Sequence, residues 1–445
     1  MQHDFLLLLN TIRDYIWGPV MIMLLLGTGI YLSLLLRFIQ LRKLIPAFKL
    51  VFSRGDKKTK GEISGFKALT TALAGTVGTG NIAGVATAIV FGGPGAIFWL
   101  WITGIIGMAT KFAEAMLAVK YRQKNSNGDF VGGPMYYIVN GLGSKWKILA
   151  GAYALFAMLA AFGAGNSVQS NSIAEVLGEN LHMPHWATGV ILVIAVGVVL
   201  FGGIKSIGRV TSVVVPCMAI FYIVGCSLII YFNRSSLLPS LHLVLDSAFN
   251  GSAASGGFLG ATVMATIRFG VARGMMSNEA GLGAASIVHA VAKTNNPLRQ
   301  ALIAMTGTFI DSLIICTFTA FVVLTSGQWM SGKNGAILTA AAFQTNFSYG
   351  GVFVSISLVV FAFTTLLGWS YYGERCANYL FSAKVIPLYR VLWLVMIFIG
   401  SMVHLEYVWT VADILNAFMA VPNLIAIILL ATMIRKITKE FEGKY

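Results

Sequence analysis

The sequence predicts an all-α integral membrane protein of 11 transmembrane helices. One N-terminal helix precedes a five-plus-five inverted repeat whose first helices are both broken. Three observations carry this reading. The composition is too poor in charge for a surface in water, the apolar stretches have spanning length, and two of them are interrupted by glycine in corresponding places.

Charged residues make up 11% of the 445 and apolar residues 57%, with a mean hydropathy of +0.80. A water-soluble domain carries about 25% charged residues. The chain therefore reads as one transmembrane domain over 1–445 and not as several soluble domains. The net charge of +15 does not indicate nucleic acid. Nine of the 31 basic residues fall between Arg37 and Lys67, and others lie at Lys120 to Lys147 and Arg435 to Lys444, all flanking apolar stretches. That placement is a membrane-topology signal. Cys217, Cys226, Cys316 and Cys376 form no C-x-x-C and lie in or beside apolar segments, so neither a disulfide framework nor a zinc site is indicated. The short apolar run Phe5–Leu9 has no basic residue ahead of it and makes a poor signal peptide.

A spanning helix needs about 20 mainly apolar residues. An opening helix is expected at 15–38, and a first group of five at 66–91, 94–120, 147–177, 187–203 and 207–232. A second group follows at 257–290 (interrupted), 298–326, 348–382, 386–403 and 407–434. The two repeats are thus bounded at 60–232 and 250–434. Alternating the spans leaves one side with Arg13, Arg234 and Lys333 and gives the other nearly all remaining basic residues. The positive-inside rule then puts the C-terminus in the cytoplasm and the N-terminus outside. The connections Ser235–Gly256 (with room for a short interfacial helix) and Lys333–Asn346 fall outside.

The opening span of the first repeat reads Ala74-Gly75-Thr76-Val77-Gly78-Thr79-Gly80-Asn81-Ile82-Ala83-Gly84. Each glycine weakens a helix by about 1 kcal/mol relative to alanine. Thr76, Thr79 and Asn81 place polar groups at a costly depth. The opening span of the second repeat, Arg268 to Gly283, is again split by glycines and polar groups. Five spans per repeat make the second copy inverted. Paired interrupted helices in corresponding positions point to a secondary transporter's binding site. Close helix packing by small residues is the competing reading. A nucleotide loop is excluded because Gly84 falls one residue late for G-x-G-x-x-G and no strand precedes it.

Gly92-Gly93-Pro94-Gly95-Ala96-Ile97-Phe98-Trp99-Leu100-Trp101, Gly274-x-x-Ser277-Asn278-Glu279-Ala280-Gly281-Leu282-Gly283, Gly307-Thr308-Phe309-Ile310-Asp311 and Gly368-Trp369-Ser370-Tyr371-Tyr372-Gly373-Glu374 resemble blocks of the alanine/glycine:cation symporter family, the sodium:alanine symporters. Leu100 stands where the family has methionine. The resemblance runs from about 15 to 435 and implies the leucine-transporter-like fold. It implies a sodium-coupled symporter importing small neutral amino acids, alanine or glycine, by alternating access. It also implies a cell membrane location, in a prokaryotic inner or plasma membrane. No cofactor is implied; Na+ enters as the coupling ion. The partners are a small-molecule amino acid, sodium and membrane lipid, with no nucleic acid. Proton coupling, or a broader preference reaching serine or glutamine, is the alternative.

A substrate carboxylate suits the free N–H groups at a half-helix N-terminus, which assigns it to Thr79, Gly80 and Asn81. The ammonium suits freed carbonyls, at Thr76, Phe269 and Gly270. Asn166 and Gln169 share a face at i, i+3, either in a pocket or in interhelical hydrogen bonds. Thr365 and Trp369 share a face at i, i+4. The resemblance raises Gln169, Thr365 and Trp369 as pocket residues, Trp369 limiting pocket size. It also places sodium between the hydroxyls of Thr364 and Thr365 and carbonyls near Ala74, Val77 and Phe361. The alternative for the two threonines is a hydrogen bond to their own helix.

Among charges within the spans, Arg268 and Arg273 are expected to pair with Glu279 or Asp311 in a gate. Glu279 and Asp311 are also the suspects for proton coupling. Glu114 with Lys111, and Glu374 with Arg375, read as helix-end pairs. His182-x-x-His185 has no acidic or thiol partner nearby in sequence and is not read as a metal site. No Ser-His-Asp arrangement or nucleotide-binding motif is present, so neither an enzyme nor a nucleotide-driven pump is expected.

Overall fold

The computed structural model describes residues 2–53, 59–125, 128–250, 262–403 and 405–443. Each predicted stretch coincides with helix. The start of the interrupted stretch, 257–261, and the end of the Ser235–Gly256 connection lie outside the described residues. Among the described residues, eight helices are long and apolar enough to cross a bilayer, and the bent pair Gly65–Thr76 and Gly80–Gly92 makes nine. His185–Leu200 is apolar but has only 16 residues. The pair Val263–Asn278 and Ala284–Ala290 is divided by the glycine-containing segment 279–283. The first span starts earlier than predicted, with apolar helix from Leu7.

Burial separates central helices from peripheral ones. Two-thirds (67%) of the most apolar window is buried in Ala96–Lys120 and in Gly350–Phe381, against 28% in Gly203–Phe232 and Ala383–Met402. The peripheral helices turn Val213, Leu228, Leu392 and Val395 outward. Such an apolar exterior suits lipid. Ala96–Lys120 packs against Val263–Asn278 and Pro297–Thr308, and Gly350–Phe381 packs against Gly65–Thr76 and Val168–Leu181. Each broken helix is therefore backed by a buried continuous one.

Two connections contain helix. Leu237–Asn250 lies within Ser235–Gly256, where a short helix is expected, and Gly335–Gln344 lies within Lys333–Asn346. The latter meets the first broken helix, with Thr339 Oγ1 donating to the Ile82 carbonyl at 3.2 Å. Among the described residues, strand is confined to Gln123–Lys124 paired antiparallel with Phe130–Val131.

Candidate functional site

The first broken helix starts at Gly65, capped by Ser64, whose hydroxyl accepts the Lys67 N–H at 3.2 Å. It ends at Thr76. Val77 turns to an extended conformation, and helix resumes at Gly80 with a bend of 55° between the halves. Tertiary packing requires glycine here. A Cβ on Gly78 would lie 2.6 Å from Thr365 Oγ1, and one on Gly368 would lie 2.8 Å from the Gly75 nitrogen. The Gly350–Phe381 helix thus presses directly on the break. The freed groups find partners: the Gly78 N–H donates to Asn81 Oδ1 at 2.9 Å and the Thr79 N–H to Gln169 Oε1 at 3.5 Å.

A cavity of about 40 Å³ lies between the two breaks. It is lined by Thr76, Thr79, Gly80, Gln169, Thr365 and Trp369, six of the nine residues assigned to substrate. The other three are placed elsewhere. Asn81 is fully buried, and its side chain braces the interior: Nδ2 donates to Ser277 Oγ at 2.9 Å and to Asp311 Oδ1 at 2.7 Å. Phe269 and Gly270 lie within an unbroken helix, because Val263–Asn278 is continuous and the chain opens only at Glu279. Phe269 stacks on Phe91 with centroids 5.5 Å apart, and a Cβ on Gly270 would meet the Ala96 carbonyl at 2.4 Å. Their carbonyls are within the helix and do not line the cavity.

Asn166 and Gln169 also separate. Asn166 Nδ2 donates to the Trp393 carbonyl at 2.9 Å, an interhelical bond, whereas Gln169 reaches the cavity and donates to the Ala164 carbonyl at 3.0 Å. The chain forms a wide π turn at Ala161–Ser167, so the 3.6-residue period does not hold there. Trp369 Nε1 donates to Glu279 Oε1 at 2.8 Å, and its ring meets Tyr372 edge-on at 5.6 Å.

Of the residues proposed for sodium, Val77, Phe361 and Thr365 come together. Thr365 Oγ1 is 3.1 Å from the Phe361 carbonyl and 3.4 Å from the Val77 carbonyl. Thr364 also donates to the Phe361 carbonyl, at 2.9 Å, but its hydroxyl lies 3.5 Å from Met218 Sδ, a soft neighbour. Ala74 is buried in the helix preceding the break.

The second break runs from Glu279 to Gly283, with Glu279, Gly281 and Gly283 at φ of 55°, 98° and 75°. Its exposed amides converge on Glu114. Oε1 of Glu114 accepts from the Gly281 N–H at 2.9 Å, the Gly283 N–H at 3.1 Å and Asn423 Nδ2 at 2.8 Å. Asn423 also donates to the Gly281 carbonyl at 2.8 Å and accepts from the Tyr137 hydroxyl. Lys111 Nζ donates to the Glu279 carbonyl at 3.0 Å and lies 3.9 Å from Glu114 Oε2. The helix-end reading of Glu114 and Lys111 is therefore corrected: both are buried, and they hold the break open. Buried charges persist only when so partnered.

The predicted gate pairs do not form either. Arg268 pairs with Asp14 at 2.5 Å, and the Arg273 guanidinium sits 5.8 Å above the Trp409 ring. Asp311 accepts from Asn81, from Ser277 at 2.6 Å and from Ser312 at 3.0 Å. Glu374 bonds Arg390 at 2.6 Å as well as Arg375. Above the cavity lies a wider vestibule of about 530 Å³, lined in part by Arg273 and Asp413. Trp409 lines both spaces.

Sequence reasoning missed Asn416 at the cavity and Asn423 at the second break. A signal was available. The two asparagines lie seven residues apart in one apolar span, two helical turns on one face.

Two helices broken around a small cavity of mixed polarity within an apolar bundle define a secondary transporter, a multi-pass membrane protein and not an enzyme. The fold matches a solved structure, MhsT in complex with L-phenylalanine, with a TM-score of 0.63 at 14% identity, covering 83% of this chain and 89% of that one. The model of the sodium:alanine symporter family matches residues 3–445, and the chain belongs to that family. It is 49% identical to the sodium/alanine symporter AgcS of Methanococcus maripaludis, over 98% of this chain and 97% of that protein. It is 39% identical to the probable sodium/glutamine symporter GlnT of Bacillus subtilis, over 96% and 89% respectively.

Proposed function

We propose that this chain is a sodium-coupled symporter that imports small neutral amino acids, alanine or glycine first, by alternating access. The observation that carries the reading is the cavity of about 40 Å³ between the two breaks, room for about three waters. The amides of Thr79 and Gly80, at the start of a half-helix, receive the substrate carboxylate. Sodium takes the carbonyls of Val77 and Phe361 with the Thr365 hydroxyl, both carbonyls lying within 3.4 Å of Thr365 Oγ1. Both ligands then share the residues around Val77 and Thr365, so each raises the other's affinity. Trp369, held by Glu279 and Tyr372, limits side-chain size. A glutamine cargo, as named for the Bacillus relative, would require this tryptophan to move.

The helices are taken as 11 crossings, with repeats at 60–232 and 250–434 in inverted orientation. The distribution of basic residues supports an outside N-terminus and a cytoplasmic C-terminus. The vestibule above Trp409 then faces outside.

The reading is tested in proteoliposomes by uptake of labelled alanine, with sodium replaced by choline at fixed pH and with unlabelled amino acids as competitors. Sodium-dependent uptake, displaced best by alanine and glycine, is expected. Undiminished uptake in choline rejects sodium coupling, and stronger displacement by glutamine rejects the substrate assignment.

A further inference from the structure

Glu279 is the first residue of the second break and adopts the left-handed conformation, with φ of 55°. This is uncommon for a residue with a side chain. The surrounding structure holds it there. Its N–H donates to the Met275 carbonyl at 2.8 Å, and its own carbonyl accepts from Lys111 Nζ at 3.0 Å. The following amide, of Ala280, is taken by Asn278 Oδ1 at 2.9 Å. The side chain is buried, lines the cavity, and is aimed by Trp369 Nε1, which donates to Oε1.

Its other oxygen, Oε2, is buried and has no hydrogen-bond partner among the described residues. The same holds for Oδ1 of Asn416, which lines the same cavity from the Leu405–Leu429 helix. Glu279 forms no ion pair among the described residues; Lys111 meets it only at the main-chain carbonyl and has Glu114 as its carboxylate neighbour. A buried carboxylate oxygen without a donor is costly. Both residues line one small cavity, and a donor that carries positive charge would satisfy both acceptors.

We propose that Glu279 Oε2, with Asn416 Oδ1, receives the ammonium group of the substrate. The amine subsite is then a carboxylate on the second break, opposite the Thr79 and Gly80 amides, and not the main-chain carbonyls of Phe269 and Gly270. This rests on the reading of the cavity as an amino-acid site and names its charge-selecting residue. It follows that 2-hydroxy acids, which carry a hydroxyl in place of the ammonium, are rejected by Glu279.

The test compares alanine with lactate as competitors of labelled alanine uptake into proteoliposomes under an inward sodium gradient. Wild type should prefer alanine to lactate by well over about tenfold. Glu279→Gln keeps an oxygen for Trp369 Nε1 and removes the charge. It should weaken alanine by at least about tenfold and bring the alanine-to-lactate ratio close to one, with the sodium concentration for half-activation, measured at saturating alanine, changed by less than about twofold. Glu279→Asp, which retains the charge, should restore part of the ratio. An unchanged ratio in Glu279→Gln overturns the proposal and leaves Oε2 to a bound water. If Glu279→Gln is not recovered folded, Asn416→Leu decides: a ratio reduced by about threefold or more supports the subsite, and an unchanged ratio overturns it. Absence of sodium-dependent alanine uptake in the wild-type protein is a different result, and it refutes the underlying functional reading instead.

Discussion

Asn81 and Asp311 are joined by a hydrogen bond of 2.7 Å from Asn81 Nδ2 to Asp311 Oδ1, tying the first broken helix to the helix Pro297–Thr325. Ser277, at the end of the first half of the second broken helix, bonds both ends of this link, its Oγ accepting from Asn81 Nδ2 and donating to Asp311 Oδ2. One carboxylate therefore holds both broken helices in register. Three buried residues form the link, and none of them lines the cavity.

Asn81→Ala should accordingly destabilise the protein more than it weakens ligand binding. It removes a donor from a buried carboxylate and the acceptor of the Gly78 N–H, a cost of about 1–3 kcal/mol. A lower thermal midpoint is expected by fluorescence-detected size exclusion in detergent. A large loss of alanine affinity at unchanged midpoint would return Asn81 to the substrate site.

Glu114 should be among the most sensitive positions in the chain. Glu114→Ala strips two main-chain amides and Asn423 of their acceptor and leaves Lys111 without its carboxylate neighbour. Breaking a buried charge pair costs about 3–5 kcal/mol. Adding Lys111→Met to Glu114→Ala should recover part of the folded yield, because the uncompensated cation is gone. A double variant no better than the single one would mean that the amide contacts alone carry the effect.

The two adjacent threonines should differ. Thr365 Oγ1 spans the first break and the Gly350–Phe381 helix, whereas the Thr364 hydroxyl lies against Met218 Sδ. Thr365→Ala is expected to raise the sodium concentration for half-maximal uptake by about tenfold, roughly the loss of one hydrogen bond to a charged ligand. Thr364→Ala should raise it by much less. Equal shifts in sodium-dependence curves would argue that both hydroxyls coordinate the ion.

Glu62 provides a pH test away from the membrane-spanning helices. It accepts the Phe130 N–H at 3.0 Å. Burial, and then Asp129 nearby, raise its carboxyl above the ordinary glutamate value, while Arg375, the Phe130 N–H and Lys205 oppose the shift. The charged form is thus less favourable in the folded chain than in the unfolded one. The contribution of this group is full below the ordinary value of 4.5 and is lost as pH rises through the raised one. The thermal midpoint of Glu62→Gln relative to wild type should therefore increase from about pH 4 to about pH 7. A constant difference across that range would contradict the shift.

The helices, the two breaks and the family motifs are legible in linear order. Apolar length, glycine clustering and local polarity are properties of neighbours along the chain, and a bilayer enforces them directly. The cavity residues Thr76, Thr79, Gly80, Gln169, Thr365 and Trp369 could be named because they lie in or beside those signals. The partners of each polar group could not. Asn81 belongs to the first break by position, yet it faces Asp311, distant by 230 residues. Phe269 and Gly270 sit in a glycine-interrupted stretch that remains helical until Asn278, because packing against Ala96–Lys120 supports it and Glu114 opens the chain only beyond that point. Glu114, Asn423 and Asn416 gain their roles from helices that meet only after folding. A hydrogen bond or a buried charge needs its partner within a few ångströms in space, and that proximity is set by how the helices pack.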